Sequence, residues 1–172
     1  MNNYVKLAWQ AMEKYIKSGE KLDASSMNLP REFYNKKGGV FVTIRKGGQL
    51  RGCIGTIVST KETLAQEIID NAVSACARDP RFDSVTESEL PEIECEVSLL
   101  SEPRPVENLE NHEPEKHGII VKAEDGRSGL LLPDLEGVDS TQKQVALAAQ
   151  KGGIDPYSEK IQLFEFEVEK HN

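Results

Sequence analysis

The sequence predicts an α+β fold, with mainly antiparallel sheets flanked by helices, and three observations carry that reading. Gly47-Gly48 and Asp125-Gly126 each separate two runs of strand character, and tight turns of this kind join antiparallel neighbours. Amphipathic helical stretches are interspersed with these hairpins. No strand runs through a Gly-rich loop into a helix, since GxGxxG and the Walker pattern are both absent. A doubly wound parallel sheet is therefore not expected.

In chain order, Val5, Ala8, Trp9, Met12 and Ile16 recur at helical spacing, and Gly19 is a natural stop. Leu22 to Lys37 reads as a loop with room for a short turn. Gly38 to Val58 is a hairpin in which Val40, Val42 and Ile44 alternate with Phe41, Thr43 and Arg45. Ser59 and Glu62 have the spacing of a capping box. The helix it would open runs to about Arg78, with Leu64, Ile68, Ala72, Ala75 and Cys76 on one face, and Pro80 ends it. Ile93, Cys95, Val97 and Leu99 alternate with polar residues, as in a strand with one buried face. The Pro- and Glu-containing connection near 101–116 is the candidate lobe boundary within a single 1–172 domain. Strands His117–Ala123 and Arg127–Leu132 follow. Asp139 and Gln142 suggest a helix start, and Gly152-Gly153 its stop after Lys151. Ile161–Glu169 is the last strand; its buried face is ambiguous because Leu163 and Phe164 are adjacent.

The 172 residues carry 38% hydrophobic and 29% charged residues, a globular composition. No apolar run reaches the roughly 18 residues of a membrane span. The first ten residues lack a secretory pattern, so a cytoplasmic location is expected. A net charge of −8 makes nucleic acid an unlikely partner. Lys36, Lys37, Arg45, Lys46 and Arg51 read best as solvated charges flanking a strand. Cys53, Cys76 and Cys95 form no CxxC pair and no zinc-ribbon spacing. The three histidines include no HExxH. Nothing in the spacing points to a metal or a cofactor.

Leu50 to Thr56 carries the strongest signal. Gly52 and Gly55 lie inside a strand, where glycine weakens the ladder and often marks a bulge or a close approach by backbone or ligand. In a regular strand Arg51 and Cys53 share a face. A guanidinium beside a thiol favours the thiolate, and Arg51 could instead hold a carboxylate or phosphate. The opposing reading is packing. With a two-residue turn, Cys53 would face Val42 and Arg51 would face Ile44, on an apolar face.

Leu50-Arg51-Gly52-Cys53-Ile54-Gly55 resembles the signature of the AMMECR domain family. In matching order, Gly39–Thr43, Ala77–Phe82, Glu94–Ser101, His117-Gly118, Leu131–Pro133 and Lys151–Gly153 resemble other family landmarks. After Pro133 the pattern departs, with Asp134 where glutamine is common and a Trp-containing stretch missing. The resemblance implies a two-lobed α+β fold with a cleft between the lobes, bordered by the signature strand. It also implies association with Memo-like proteins and radical S-adenosylmethionine enzymes.

These readings make Cys53 the candidate nucleophile or redox thiol. Arg51, Gly52, Gly55, Asp79, Arg81 and His117 are candidate binding residues for a small anionic ligand. Asp79 has an alternative role organising the turn at Pro80, and Arg81 could pair with Asp79 or Glu89. His117 could act as a base. Glu94 and Glu96 share a strand face and read best as solvated sheet surface. Catalysis by Cys53, ligand or partner binding without catalysis, and packing of Cys53 all remain open at this stage.

Overall fold

The computed structural model describes residues 2–172. The chain divides into two compact units, one of residues up to Leu100 with Glu169–Asn172, the other Ser101–Val168.

The first unit opens with α1 (Asn3–Ser18). Asn2 caps it by accepting the Tyr4 N–H, and Gly19 ends it in the left-handed conformation. A 3-10 turn (Ala24–Ser26) and the single-turn α2 (Glu32–Asn35) follow. Strands β1 (Gly39–Lys46) and β2 (Gln49–Thr56) form the expected hairpin. Its two turn residues take positive φ, 56° at Gly47 and 76° at Gly48, as a tight hairpin turn requires. Next come α3 (Leu64–Ala77), a 3-10 segment (Glu87–Glu92) and β3 (Ile93–Leu100). β3 pairs antiparallel with β1 on the side away from β2. β2 is the edge strand. Val40, Val42, Ile44 and Val97 line one sheet face and share a core with Leu7, Met12, Ile68 and Ala72 from α1 and α3. Each of the valine, leucine, isoleucine and methionine side chains, fully buried, contributes roughly 1.5–3 kcal/mol of transfer free energy, and the Ala72 methyl about 0.8 kcal/mol.

The start of α3 differs from the sequence expectation. Thr63 is the N-cap and accepts the Gln66 N–H. Ser59 is not paired with Glu62 in a capping box, and Glu62 reaches Lys37 instead. Glu67, fully buried in the first turn of α3, collects the loop before the helix. It accepts the Thr60 and Lys61 N–H groups at 2.7 and 2.8 Å and the Thr56 hydroxyl at 2.6 Å. Burial alone pushes its carboxyl pKa up. The hydrogen bonds outweigh that and leave it below the usual value. A local capping rule looks three residues ahead, whereas this contact spans a whole loop.

The second unit contains the short β4 (Arg104–Pro105), β5 (His117–Ala123), β6 (Ser128–Leu131) and α4 (Thr141–Lys151). It ends in β7 (Ile161–His171), whose part to Val168 belongs to this unit. β5 lies between β6 and β7, antiparallel to both, and β4 pairs with β7. Ser140, not Asp139, caps α4 by accepting the Lys143 N–H. Ala148 and Ala149 of α4 pack on Ile119, Val121 and Leu131, with Leu163 against them. That contact settles the β7 face: Leu163, not Phe164, turns toward α4. Among the described residues no helix is long and apolar enough to cross a membrane.

Candidate functional site

The hairpin register decides what Cys53 faces. Lys46 pairs with Gln49 and Arg45 with Leu50, as a two-residue turn demands, but Ile44 then pairs with Gly52. Arg51 is the extra residue of a bulge, and a one-residue slip sends every later side chain to the other face. Cys53 therefore lies opposite Thr43, not Val42, and Gly52, not Arg51, lies opposite Ile44. This corrects the register expected from the turn alone. The thiol sits on the sheet face opposite the helix-covered core, half-buried, with Sγ 3.2 Å from the Thr43 hydroxyl. Thr43 pairs on its other side with Glu96, so Cys53, Thr43 and Glu96 form a row across three strands.

The bulge also separates Arg51 from Cys53. The Arg51 guanidinium donates to both carboxylate oxygens of Glu89, at 3.0 Å each, and to the Asp83 and Ser84 carbonyls. Arg51, with the Thr86 N–H, holds the Glu89 pKa down to about 2. Arg51 thus ties the sheet to the loop after α3, with its charge already matched.

Asp79 and Arg81 are the groups brought to Cys53. Asp79 is only 4% exposed. One carboxylate oxygen accepts the Cys53 N–H at 2.9 Å. The carboxylate also accepts from the Arg81 N–H at 3.1 Å, from Nε at 2.9 Å and from Nη2 at 2.7 Å. Arg81 Nη2 in turn donates to the Cys53 carbonyl at 3.0 Å. Both backbone groups of Cys53 that face outward from the edge strand are therefore satisfied by side chains, where an unprotected edge would present a free template for another strand. The Arg81 hydrogen bonds, joined by those from the Cys53 and Arg81 N–H groups, hold the Asp79 carboxyl well below the usual carboxylate range. The Arg81 side chain remains 53% exposed and lies over the Phe82 ring.

The two signature glycines have packing explanations. A Cβ on Gly52 would overlap the Ala75 carbonyl oxygen of α3, and one on Gly55 would overlap the Phe41 ring. Their missing side chains admit the helix backbone on one face and an aromatic ring on the other. Neither glycine marks a space for a ligand.

The other cysteines are inert by environment. Burial pushes the Cys76 thiol pKa up to about 11. Burial, reinforced by Glu96 and Cys76, pushes Cys95 up to about 12. Glu94 lies opposite Arg45 in the β1–β3 ladder. A cleft of about 490 Å³ runs along Val5, Trp9, Arg45, Ile93 and Cys95, and none of Cys53, Asp79 and Arg81 lines it.

His117 opens β5 in the second unit, and its rings of contact lie there. His112, from the loop before β5, lies beside it with ring centroids 5.5 Å apart and the ring planes tilted by 40°. His112, His117 and Glu165 bring ligand-type atoms within 4.8 Å of one another. The sequence spacing gave no sign of this group: the histidines are five residues apart, and the carboxylate comes from a strand 48 residues further on. The β5–β7 register supplies the link. His117 pairs with Glu167 and Ile119 with Glu165, which makes Glu165 a same-face diagonal neighbour of His117.

The AMMECR1 family model matches residues 5–171. A protein of Thermotoga maritima is 41% identical over 169 residues, covering 98% of this chain and 96% of its own length. A Clostridium acetobutylicum protein is 40% identical over 168 residues, which is 98% of this chain but 35% of that longer protein. The crystal structure of an uncharacterized protein from Pyrococcus horikoshii is similar with a TM-score of 0.81 and 30% identity, over 97% of this chain and 88% of that one.

Proposed function

The chain belongs to the AMMECR1 family, and we propose that its working group is the Cys53 thiol, acting in an enzyme or enzyme subunit on a small anionic molecule. The observation that carries this reading is the clamp around Cys53. Asp79 takes its N–H and Arg81 its carbonyl, so the thiol is held on a rigid strand, on the sheet face away from the core. A nucleophile kept in a fixed position loses little entropy on reaching its target. Cys76 is buried and Cys95 is half-buried like Cys53, but burial pushes both the Cys76 and the Cys95 thiol pKa up, which disfavours the thiolate there.

The cation beside the thiol is Arg81, in place of Arg51. The Arg81 side chain is half exposed, and its Nη2 donates to the Cys53 carbonyl at 3.0 Å. Arg81 is paired with Asp79 as Arg51 is with Glu89, but its side chain is 53% exposed against 17% for Arg51, so it is the better placed of the two to orient an anionic substrate. Native-state alkylation followed by mass spectrometry tests the reading. Cys53 is expected to react in the folded protein while Cys76 and Cys95 stay unmodified until unfolding. A Cys53 as inert as the other two would remove the thiol reading.

One observation favours a second reading, a binding or scaffold module using the same face. The hydrogen-bond partner of the Cys53 thiol is a hydroxyl, which is a poor proton acceptor at neutral pH. Here Cys53→Ser retains partner binding, and substitutions that open the Asp79–Arg81 clamp lose it. Memo-like and radical S-adenosylmethionine proteins are the partners to test first, by co-purification with wild type and Cys53→Ser.

A further inference from the structure

We propose that His112, His117 and Glu165 form a binding site for a divalent transition metal ion in the second unit, zinc being the probe of choice. The argument starts from Gln144 on α4, which is fully buried. Its amide nitrogen donates to the His117 carbonyl at 2.9 Å and the Leu132 carbonyl at 3.4 Å. That fixes which end of the amide is oxygen, so Oε1 accepts from His112 Nε2 at 2.6 Å. His112 is thereby held with a proton on Nε2. A neutral ring so oriented carries its lone pair on Nδ1.

That lone pair faces Glu165 Oε2 at 2.9 Å. Two acceptors this close need a cation between them, and either a proton or a metal ion serves. Ligands at about 2.0–2.2 Å from one tetrahedral ion lie about 3.3 Å apart, so a few tenths of an ångström of opening admits a metal. The surroundings are those of a supported metal site. A ligating histidine usually donates its other N–H to a fixed acceptor, and ligating carboxylates are themselves hydrogen-bonded. Gln144 does the first for His112. Arg104 Nε does the second, donating to the other oxygen of Glu165 at 2.8 Å. The Thr141 hydroxyl donates to the His112 carbonyl at 3.2 Å and holds the loop.

His117 supplies the third ligand. Its Nδ1 accepts the Glu113 N–H at 3.2 Å, and Nε2 is 3.9 Å from Glu167. Ligation therefore exchanges the long bond from Glu113 for a bond to metal, after the ring turns. Side-chain exposures of 0% for His112, 12% for Glu165 and 13% for His117 leave an approach from the His117 side. Two imidazoles and a carboxylate suit zinc and its neighbours in the first transition row, with a position open for water or a ligand. Hard ions such as calcium, which want six or more oxygens, do not fit.

Stripped protein is titrated with zinc and with cobalt, read by native mass spectrometry, cobalt absorption and melting temperature. One equivalent is expected, with a raised melting temperature and a cobalt spectrum of nitrogen–oxygen type lacking thiolate charge transfer. His117→Gln and Glu165→Gln should each weaken binding by at least about tenfold. His117→Gln, at the more open edge, should keep the metal-free melting temperature, which separates loss of a ligand from loss of fold. Cys53→Ser should bind as wild type, so this site stands or falls apart from the thiol reading. No uptake by wild type would overturn the proposal. So would uptake that survives His117→Gln, or that disappears in Cys53→Ser.

Discussion

Asp79→Ala is the substitution with the most to say about the Cys53 clamp. It leaves the Cys53 N–H without its acceptor in a part-buried edge, costing about 1–2 kcal/mol. It removes the turn bond from the Arg81 N–H, about 0.5–1 kcal/mol. The Arg81 guanidinium loses its carboxylate but is more than half exposed and rehydrates, so its share is about 0.2–1 kcal/mol. The total is about 2–4 kcal/mol. Urea denaturation at neutral pH measures it, with Arg81→Ala alone expected near 1 kcal/mol. The two changes should not add, because they share one network. Asp79→Ala should also speed native-state alkylation of Cys53, as the strand edge loosens. A loss below about 1 kcal/mol, with additive single substitutions and an unchanged alkylation rate, would show that the clamp does not hold the strand.

Three further outcomes follow from the same contacts. Gly52→Ala forces a methyl against the Ala75 carbonyl and should cost about 1–3 kcal/mol net in urea melts; neutrality would mean that α3 does not press on β2. Glu67→Ala strips acceptors from Thr56, Thr60 and Lys61 and should cost about 3–5 kcal/mol, with hydrogen exchange rising first in residues 59–61. Asp79 and Glu89 have folded-state pKa values below their unfolded ones. Their contribution is fully present above about pH 5 and fades as the pH falls toward 2, because the unfolded carboxylates take up protons first. Acid titration of Asp79→Asn should show a shallower loss over that window than wild type, and an identical slope would contradict the assignment.

Local rules made much of the fold legible. Gly47-Gly48 announced its hairpin because only residues tolerant of positive φ make so tight a turn. Helical spacing from Val5 to Ile16 and from Leu64 to Cys76 identified the two helices that cover the first sheet. The Gly152-Gly153 pair likewise marked the end of α4. Each of these rests on a few adjacent residues and their backbone preferences, which the chain carries wherever it goes.

Tertiary structure decided the rest. The Arg51 bulge turned Cys53 from the core face to the open one; the glycines in the strand allowed for a bulge, but nothing local said which residue would be the extra one. Its cause lies outside the strand: Gly52 must meet α3, and Arg51 must reach Glu89. Asp79 and Arg81 meet Cys53 only because the loop after α3 closes over the sheet edge. His112, His117 and Glu165 converge only through the β5–β7 register and the amide of Gln144. Most of the elements, the family resemblance and the candidate thiol were legible along the chain, because these depend on sequence neighbours. Which groups surround that thiol, and which side chains share a cation, depend on neighbours in space, and only packing sets those.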